Sequence, residues 1–507
     1  MANHIERAEE GVASLQTFGR RDIYTGAERI TRENVINEVN AALGVHAWNL
    51  EEEELLYWFK RGEQAVLHRT KKRNSFINNK VVENHAYEFV EFKKGYFIPQ
   101  PCYYIARGEE YQEKVKELNE YLYRSGKHDA DNEAVDWFYS VGKGAVFVEP
   151  NPDDEAPVRA CALDPRQAFV VYSIRPGKKP MMGINAVTVG KKLYVDVYTE
   201  TEIYRLYGGE SAEVVFREAP YARKTTPTVS VIDYVEPNPL GEIPIIEYRA
   251  SSDNMSAFEP AMTILNAINT IQSNRVDGVE QFIQSLMVIY NADLPDGEDR
   301  QSIREQGILL LKSIGDQASD IKILSEQLNQ EQTQKLVDNL YEQALRICAM
   351  PSTTKGGSST SDTGTAVLAR DGWYQAECAA RNTEDEFRKS NRQFDRIFTK
   401  ILREKGLLDI SEGDFELQFV RNETSNIISK SQALLNLLTA GVEPTLALAK
   451  SGVSNDPVSD YAASEKWMKQ KWGDPDAPKT VNATAEVEVP TAQATDPSTR
   501  DIEEKVG

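Results

Sequence analysis

Residues 241–282 read GEIPIIEYRASSDNMSAFEPAMTILNAINTIQSNRVDGVEQF, and this stretch decides the architecture. A β-branched run at 243–249 passes through a polar turn. Phe258, Met262, Leu265, Ile268, Ile271, Val276, Val279, Phe282 and Leu286 then recur at helical spacing. About 30 residues at ~1.5 Å each make a rod of about 45 Å. An apolar stripe alone describes an ordinary core helix. The other face changes the reading: Asn266, Asn269, Thr270, Ser273, Asn274, Asp277, Gln281 and Gln284 make it polar and mostly uncharged. A solvated face would more commonly mix Lys and Glu. A helix lining a nucleic-acid channel needs such a face, because fixed cations would bind phosphate. Asn266, Asn269, Thr270, Asn274 and Gln281 are therefore the candidate channel-facing residues.

Upstream, residues 31–68 carry apolar positions three and four apart, from Val35 and Val39 to Leu56 and Phe59, and predict helix. Asn49 before the acidic run at 51–54 suits a helix N-terminus. The stretch 73–104 mixes a short helix with extended pieces. Helices are expected at 113–123 and 131–140, and a strand at 145–149. Residues 158–250 read as an antiparallel sheet region, with strands at 169–173, 184–189, 193–198, 202–207 and 243–249, punctuated by Gly190, Gly208 and Gly209. Downstream, a short α/β insert at 288–325 precedes a helix with Leu336, Leu340, Ala344 and Ile347 on one face, stopped by Pro351. Residues 352–365 are mostly Ser, Thr and Gly and read as a loop. It joins two long helices, where short connections are usual, and it holds one cation, Lys355. A longer helix is expected from about 365 to 405, ending at Gly406, and two more at 429–440 and 456–472.

The chain has 507 residues, 40% hydrophobic and 27% charged, as in a soluble globular protein of several domains. Its net charge of −21 argues against a sequence-reading DNA binder, yet suits a protein past which DNA slides without being gripped. Cys102, Cys161, Cys348 and Cys378 lie far apart, so neither a disulfide framework nor a zinc knuckle is expected. There is no signal-peptide pattern and no run of ~18 apolar residues. Five scattered histidines give no metal-ligand spacing. VGKGAVFV (141–148) lacks the phosphate-loop spacing and is better explained as a glycine turn before a strand. The acids at 153–155 and 296–299 read as solvated turns rather than a metal site. Trp58, Trp137 and Trp373 read as core or interface anchors.

This order of elements resembles the portal proteins of tailed phages with long non-contractile tails. The resemblance rests on NNKVVENHAYEFVEFKKGYFIPQPCYYI (78–105), VDWFYSVGKGAVFVEPN (135–151), ALDPRQAFVVY (162–172), the opening stretch 241–282, SSTSDTGTAV (358–367) and VSNDPVSDYAASEKW (453–467). It implies an α+β portal-type fold: a wing at 1–256, a first stem helix at 257–287 and a small α/β clip at 288–326. A second stem helix at 327–350, a tunnel loop at 351–365, and a long wing helix with a return strand at 366–428 follow. A helical crown at 429–472 completes it; the disordered tail expected at 473–507 rests on composition, not on the resemblance. Ser352, Thr353, Thr354, Lys355, Ser358, Ser359, Thr360 and Ser361 would then belong to the tunnel loop. The resemblance further implies a homo-oligomeric ring of twelve subunits, assembled in the host cytoplasm and seated at one capsid vertex of the virion. Its partners would be terminase, a head-completion adaptor, major capsid and scaffolding proteins, and double-stranded DNA without sequence specificity. No enzyme activity, cofactor, metal or membrane is implied. Two rivals stand beside it. A generic helical scaffold without a bore predicts a charged face on 258–287, and a metal-dependent nuclease requires converging carboxylates.

The segment after Gly473 is rich in Pro, Ala, Thr and acids and has little to bury. It cannot offset an ordering entropy of about 1–2 kcal/mol per residue. Truncation after Trp472 is expected to leave the melting temperature unchanged; a fall of several degrees in calorimetry would contradict the composition argument.

Overall fold

The computed structural model describes residues 17–71, 76–153, 155–190, 192–210, 228–283, 287–290, 308–311, 320–323, 330–352, 372–419, 427–454 and 456–472. The chain divides into two compact units, Met1–Asn426 and Ile427–Gly507. The first mixes helices and sheets. In chain order it begins with β1 (Ile23–Thr25), α1 (Val35–Lys60), α2 (His85–Phe97), β2 (Tyr103–Ala106), α3 (Gln112–Arg124) and α4 (Lys127–Val141). Then come β3 (Gly144–Pro150), β4 (Val158–Leu163), β5 (Ala168–Ser173), β6 (Pro180–Val189), β7 (Lys192–Tyr198), β8 (Glu202–Glu210), β9 (Val229–Pro237) and β10 (Ile245–Tyr248). They are followed by α5 (Met262–Ile283), β11 (Met287–Tyr290), β12 (Ile308–Leu311), β13 (Asp320–Ile323), α6 (Gln330–Ile347), α7 (Trp373–Glu404) and β14 (Phe415–Gln418).

The expected single sheet over 158–250 is two. One has six strands in the order β1-β5-β6-β7-β8-β9, with β1 parallel to β5 and the other pairs antiparallel. The other has three strands in the order β10-β3-β4. The run at 243–249 thus pairs with β3, not with its predecessor in sequence. The two sheets meet through Ala145, Ala168, Val170, Ile243 and Ile245. At Gly183 a Cβ would lie 2.9 Å from both Ile243 and Ile245, so a side chain there would push the sheets apart. Gly208, expected to punctuate, instead sits inside β8 at a register shift against β9.

Helix α1 runs unbroken through Asn49, so that residue is no N-cap. Asn49 is buried, and its side chain bonds the main-chain N–H and C=O of Arg21 at 2.9 and 2.8 Å. The segment leading into β1 outcompetes the cap. The first half of α1 packs Val35, Val39, Ala42 and Leu43 onto the six-stranded sheet. Its second half sends Leu56 and Phe59 into the main core, with Phe89, Phe97, Phe138, Phe258, Phe387, Phe394 and Phe398. One helix therefore staples both cores.

Charges are buried at the corner where α5 begins. The Arg20 guanidinium donates to Glu259 at 2.7 Å, and both side chains are fully buried. Arg20 also donates to the carbonyl of Val141 at 3.0 Å. Lys143 lies between Asp22 at 3.2 Å and Glu247 at 3.0 Å. The glycine turn before β3 is where expected. Gly142 has φ +98°, and a Cβ there would lie 2.1 Å from the carbonyl oxygen of Asn254.

In the second unit, α8 (Ile427–Thr439), α9 (Pro444–Ser451) and α10 (Pro457–Trp472) follow one another. Helix α9 was not legible: eight residues are too few to display a period. Its caps are ordinary, with the Glu443 side chain accepting from the N–H of Thr445 and Leu446, and with Gly452 at φ +66°. The stretch after Gly473 lies outside the described residues.

Glu53 is a poorly compensated carboxyl in the first unit. It is 1% exposed, and its Oε2 has no hydrogen-bond partner among the described residues. Burial pushes its carboxyl from 4.5 up to about 8, against the pull of Arg20 and Lys143. Burial likewise lifts Asp395 to about 7, although Tyr104 and Lys127 oppose it. The folded chain keeps protons that the unfolded chain has released, so stability is lost as pH rises from about 4.5 through about 8. Glu53→Gln is expected to raise the melting temperature at about pH 8.5 and to change it little near pH 4, by removing the charge that must be desolvated. An unchanged pH dependence would show that the carboxylate is solvated in the folded chain.

Candidate nucleic-acid interface

Helix α5 carries three charged side chains, Arg275, Asp277 and Glu280, and each is tied down. Arg275 donates to Gln272 and Gln334 at 2.6 Å each and to Gln330 at 3.2 Å, which fastens α5 to α6. Asp277 accepts from the backbone N–H and side-chain amide of Asn79 at 2.7 and 3.0 Å, and from Arg69 and Lys71. Burial works against ionisation of Asp277, yet the Lys71 ammonium and the two Asn79 donors hold its carboxyl below the usual range. Glu280 accepts from the Asn79 amide at 2.6 Å.

The acceptors on α5 follow a rule. Asn269, Ser273 and Asp277 stand four apart, on one stripe of the helix. The segment 77–84 crosses them as an extended strap belonging to no sheet. Its N–H groups at Glu83, Val81 and Asn79 point successively at Asn269 Oδ1 (2.8 Å), Ser273 Oγ (2.9 Å) and Asp277 Oδ1 (2.7 Å). Two residues of extended chain advance about 6.6 Å, and four of helix about 6 Å. The periods match, so an irregular strand can satisfy its alternate donors on a helix face. Asn269 is fully buried and also donates to Gln64.

This corrects the sequence reading of the polar face. Asn269, expected to face a channel, is spent within the chain, as are Ser273 and Asp277. A second stripe, Thr263, Asn266, Ala267, Thr270, Asn274 and Gly278, is exposed or half-buried and carries no charge. Asn266, Thr270 and Asn274 are thus brought together. Gln281 shares their spacing, but its side chain lies outside the described residues. Thr270 returns its hydroxyl to the carbonyl of Asn266 at 2.9 Å. Asn274 accepts from Arg69 at 2.9 Å, at the border between the two stripes.

The apolar stripe is split as well. Phe258, Met262, Leu265 and Ile268 are buried, whereas Val276 and Val279 are 42% and 47% exposed. The main core ends near Ile271, and beyond it α5 is held by α6, the strap and the cations Arg69 and Lys71. On α6, Val337, Ala344 and Leu345 are buried, whereas Leu336 and Ile347 are exposed. The Ser/Thr/Gly loop falls outside the described residues from Thr353 to Thr365; of its residues Ser352 alone is described, and is half-buried. Among the described residues, no three His, Cys, Asp or Glu side chains converge as a metal site, and no helix is long and apolar enough to cross a membrane. All four cysteines are free thiols.

The two stripes predict opposite responses to truncation. Asn269→Ala takes the acceptor from the Glu83 N–H and the donor from Gln64 Oε1 in the interior, at a cost of about 1–3 kcal/mol. It should lower the urea midpoint with an unchanged slope. Thr270→Ala, one residue along, should stay within about 0.5 kcal/mol. Equal losses at the two positions would contradict the assignment of faces.

Comparison with known proteins places the chain. The profile of the family described as "Phage portal protein, SPP1 Gp6-like" matches residues 48–473. The portal protein of Bacillus phage SPP1 is 21% identical over 431 residues, spanning 83% of this chain and 81% of that one. Among solved structures, a chain from the "Neck of native GTA particle computed with C12 symmetry" matches 73% of this chain and 89% of its own length, at 12% identity and a TM-score of 0.39. The matched span takes in the second half of α1, the strap and α5 through α10, and the chain belongs to the SPP1 Gp6-like family of phage portal proteins.

Proposed function

We propose that the chain is the subunit of a ring at one capsid vertex, through which double-stranded DNA enters and leaves the head without being read. The observation that carries this is the uncharged exposed stripe of α5 in a portal-family chain of net charge −21. Every charge on the helix is engaged by a neighbour, so DNA passing that stripe meets hydroxyls, amides and small side chains. Such contacts are weak and independent of sequence. A generic scaffold helix would have no reason to sequester its charges.

In this reading α5 and α6 are the stem, residues 288–326 the clip, the two large sheets with α1–α4 and α7 the wing, and α8–α10 the crown. The loop at 351–365, with Ser352, Thr353, Thr354, Lys355, Ser358, Ser359, Thr360 and Ser361, narrows the bore. The ring has twelve subunits, assembles in the host cytoplasm and becomes part of the virion. Terminase and the head-completion adaptor dock at the clip, and capsid and scaffolding proteins at the wing. The exposed Val276, Val279 and Leu336 support the ring, because a neighbouring subunit would cover them. Family membership supports a structural rather than enzymatic role.

Negative-stain images of the full chain, alone and with scaffolding and capsid proteins, test the ring. Closed rings with a central hole are expected, and their absence under all these conditions contradicts the reading. Thr270→Arg and Asn274→Arg should leave rings intact and lower the DNA content per head, since a ring of new cations binds phosphate. Undiminished packaging in both would remove the stripe from the DNA path.

A further inference from the structure

His85 stands where the strap, α2 and α6 meet. Its ring lies against Tyr341 of α6, with centroids 4.4 Å apart. Its Nδ1 is 2.8 Å from Glu88 Oε2, and its Nε2 is 3.2 Å from Glu83 Oε2. The second oxygen of each carboxylate is also used. Glu88 Oε1 accepts from the Tyr341 hydroxyl at 2.6 Å, and Glu83 Oε1 accepts from Gln272 of α5. One imidazole and two carboxylates therefore fasten the strap and α2 to both long helices. The titratable groups facing the ring are Glu83 from the strap, Glu88 from α2 and Tyr341 from α6; α5 contributes only the uncharged Gln272.

A neutral imidazole has one N–H and one lone pair. Between two carboxylates it can satisfy only one of them, and the other contact becomes lone pair against carboxylate oxygen. The imidazolium donates from both nitrogens. We propose that His85 is a proton-operated clasp, closed as the imidazolium and open as the neutral ring, which sets how firmly α6 is held to α2 and the strap. Burial works against the cation, but Glu88 and Glu83 outweigh it and hold His85 above its ordinary value of 6.5. The same bond from His85, with help from Tyr341, holds Glu88 below the usual carboxylate range. The clasp is thus fully closed below about 6.5 and is lost as pH rises through the raised value. Opening frees the Tyr341 contact while leaving the zip of Asn269, Ser273 and Asp277 intact, so α6 loosens and α5 does not. The inference concerns the chain itself and does not require that DNA pass α5.

Hydrogen exchange of the full chain, read by mass spectrometry at about pH 6 and about pH 9 with intrinsic rates scaled out, tests it. Wild-type amides at 341–347 should lose protection on the order of tenfold at the higher pH, the scale of one charge-assisted hydrogen bond. His85→Gln keeps a side chain of similar reach that never gains a proton. It should exchange fast at both pH values and lack the step, while the β5–β7 amides stay protected and report an intact fold. Titration of the His85 ring in the wild-type chain by histidine-selective NMR supplies the second reading, expected above 6.5. A step of the same size in His85→Gln, or a ring titrating at or below 6.5, would overturn the clasp.

Discussion

The backbone N–H groups of Asn79, Val81 and Glu83 have no strand to bond to, and α5 supplies their acceptors. That constraint organises the rest of the interface. A partly buried segment cannot leave its donors unmet, because each costs about 1–3 kcal/mol. Three acceptors four residues apart meet them on a single helix face. Once Asn269, Ser273 and Asp277 are committed, the neighbouring stripe is what α5 has left to offer. Its lack of charge follows from where the charges went: Arg275 to the glutamines of α6, and Asp277 and Glu280 to the strap.

The grip on α5 is graded along its length. At its start, the buried Arg20–Glu259 pair ties the turn before the helix to the N-terminal segment. Residues 17–47 lie outside the span matched by the family profile, yet this segment supplies Arg20 to the most deeply buried ion pair among the described residues. Breaking such a pair by removing one partner is costly, since it strands a charge in the interior. In its middle, α5 is held by neutral amides and a hydroxyl. Toward its far end it is held by Asp277 among cations, while Val276 and Val279 on either side in sequence stand open. A rod anchored firmly at one end and less densely toward the other suits a part that must keep its place while neighbours or cargo move.

Much of this was legible in the sequence. The period of α5, strands β5–β8 of the six-stranded sheet, the glycine turn at Gly142 and the order of the long helices all follow from spacing and punctuation. So did the polar, mostly uncharged character of the α5 face opposite its apolar stripe. What spacing could not show was which half of that face is free. Asn269 and Thr270 are adjacent and equally polar, and only the strap distinguishes them. The strap has no period of its own, so nothing in residues 77–84 announces a partner some 190 positions downstream, as from Val81 to Ser273. The separate pairing of β10 with β3 was hidden for the same reason, because strand partners are set by tertiary contact. Asn49 shows the converse: a good N-cap residue before an acidic run, pulled into mid-helix by the main chain of Arg21.

The central claim is that α5 turns its strap-bound stripe into the protein and its uncharged stripe toward the bore. A side-chain-resolution cryo-electron microscopy map of the assembled ring tests it most directly. The account predicts Thr263, Thr270 and Asn274 on the lumen side of α5, with Asn269, Ser273 and Asp277 turned away and still joined to residues 79–83. A map with the strap on the lumen side, or with the uncharged stripe buried against a neighbouring subunit, would contradict it.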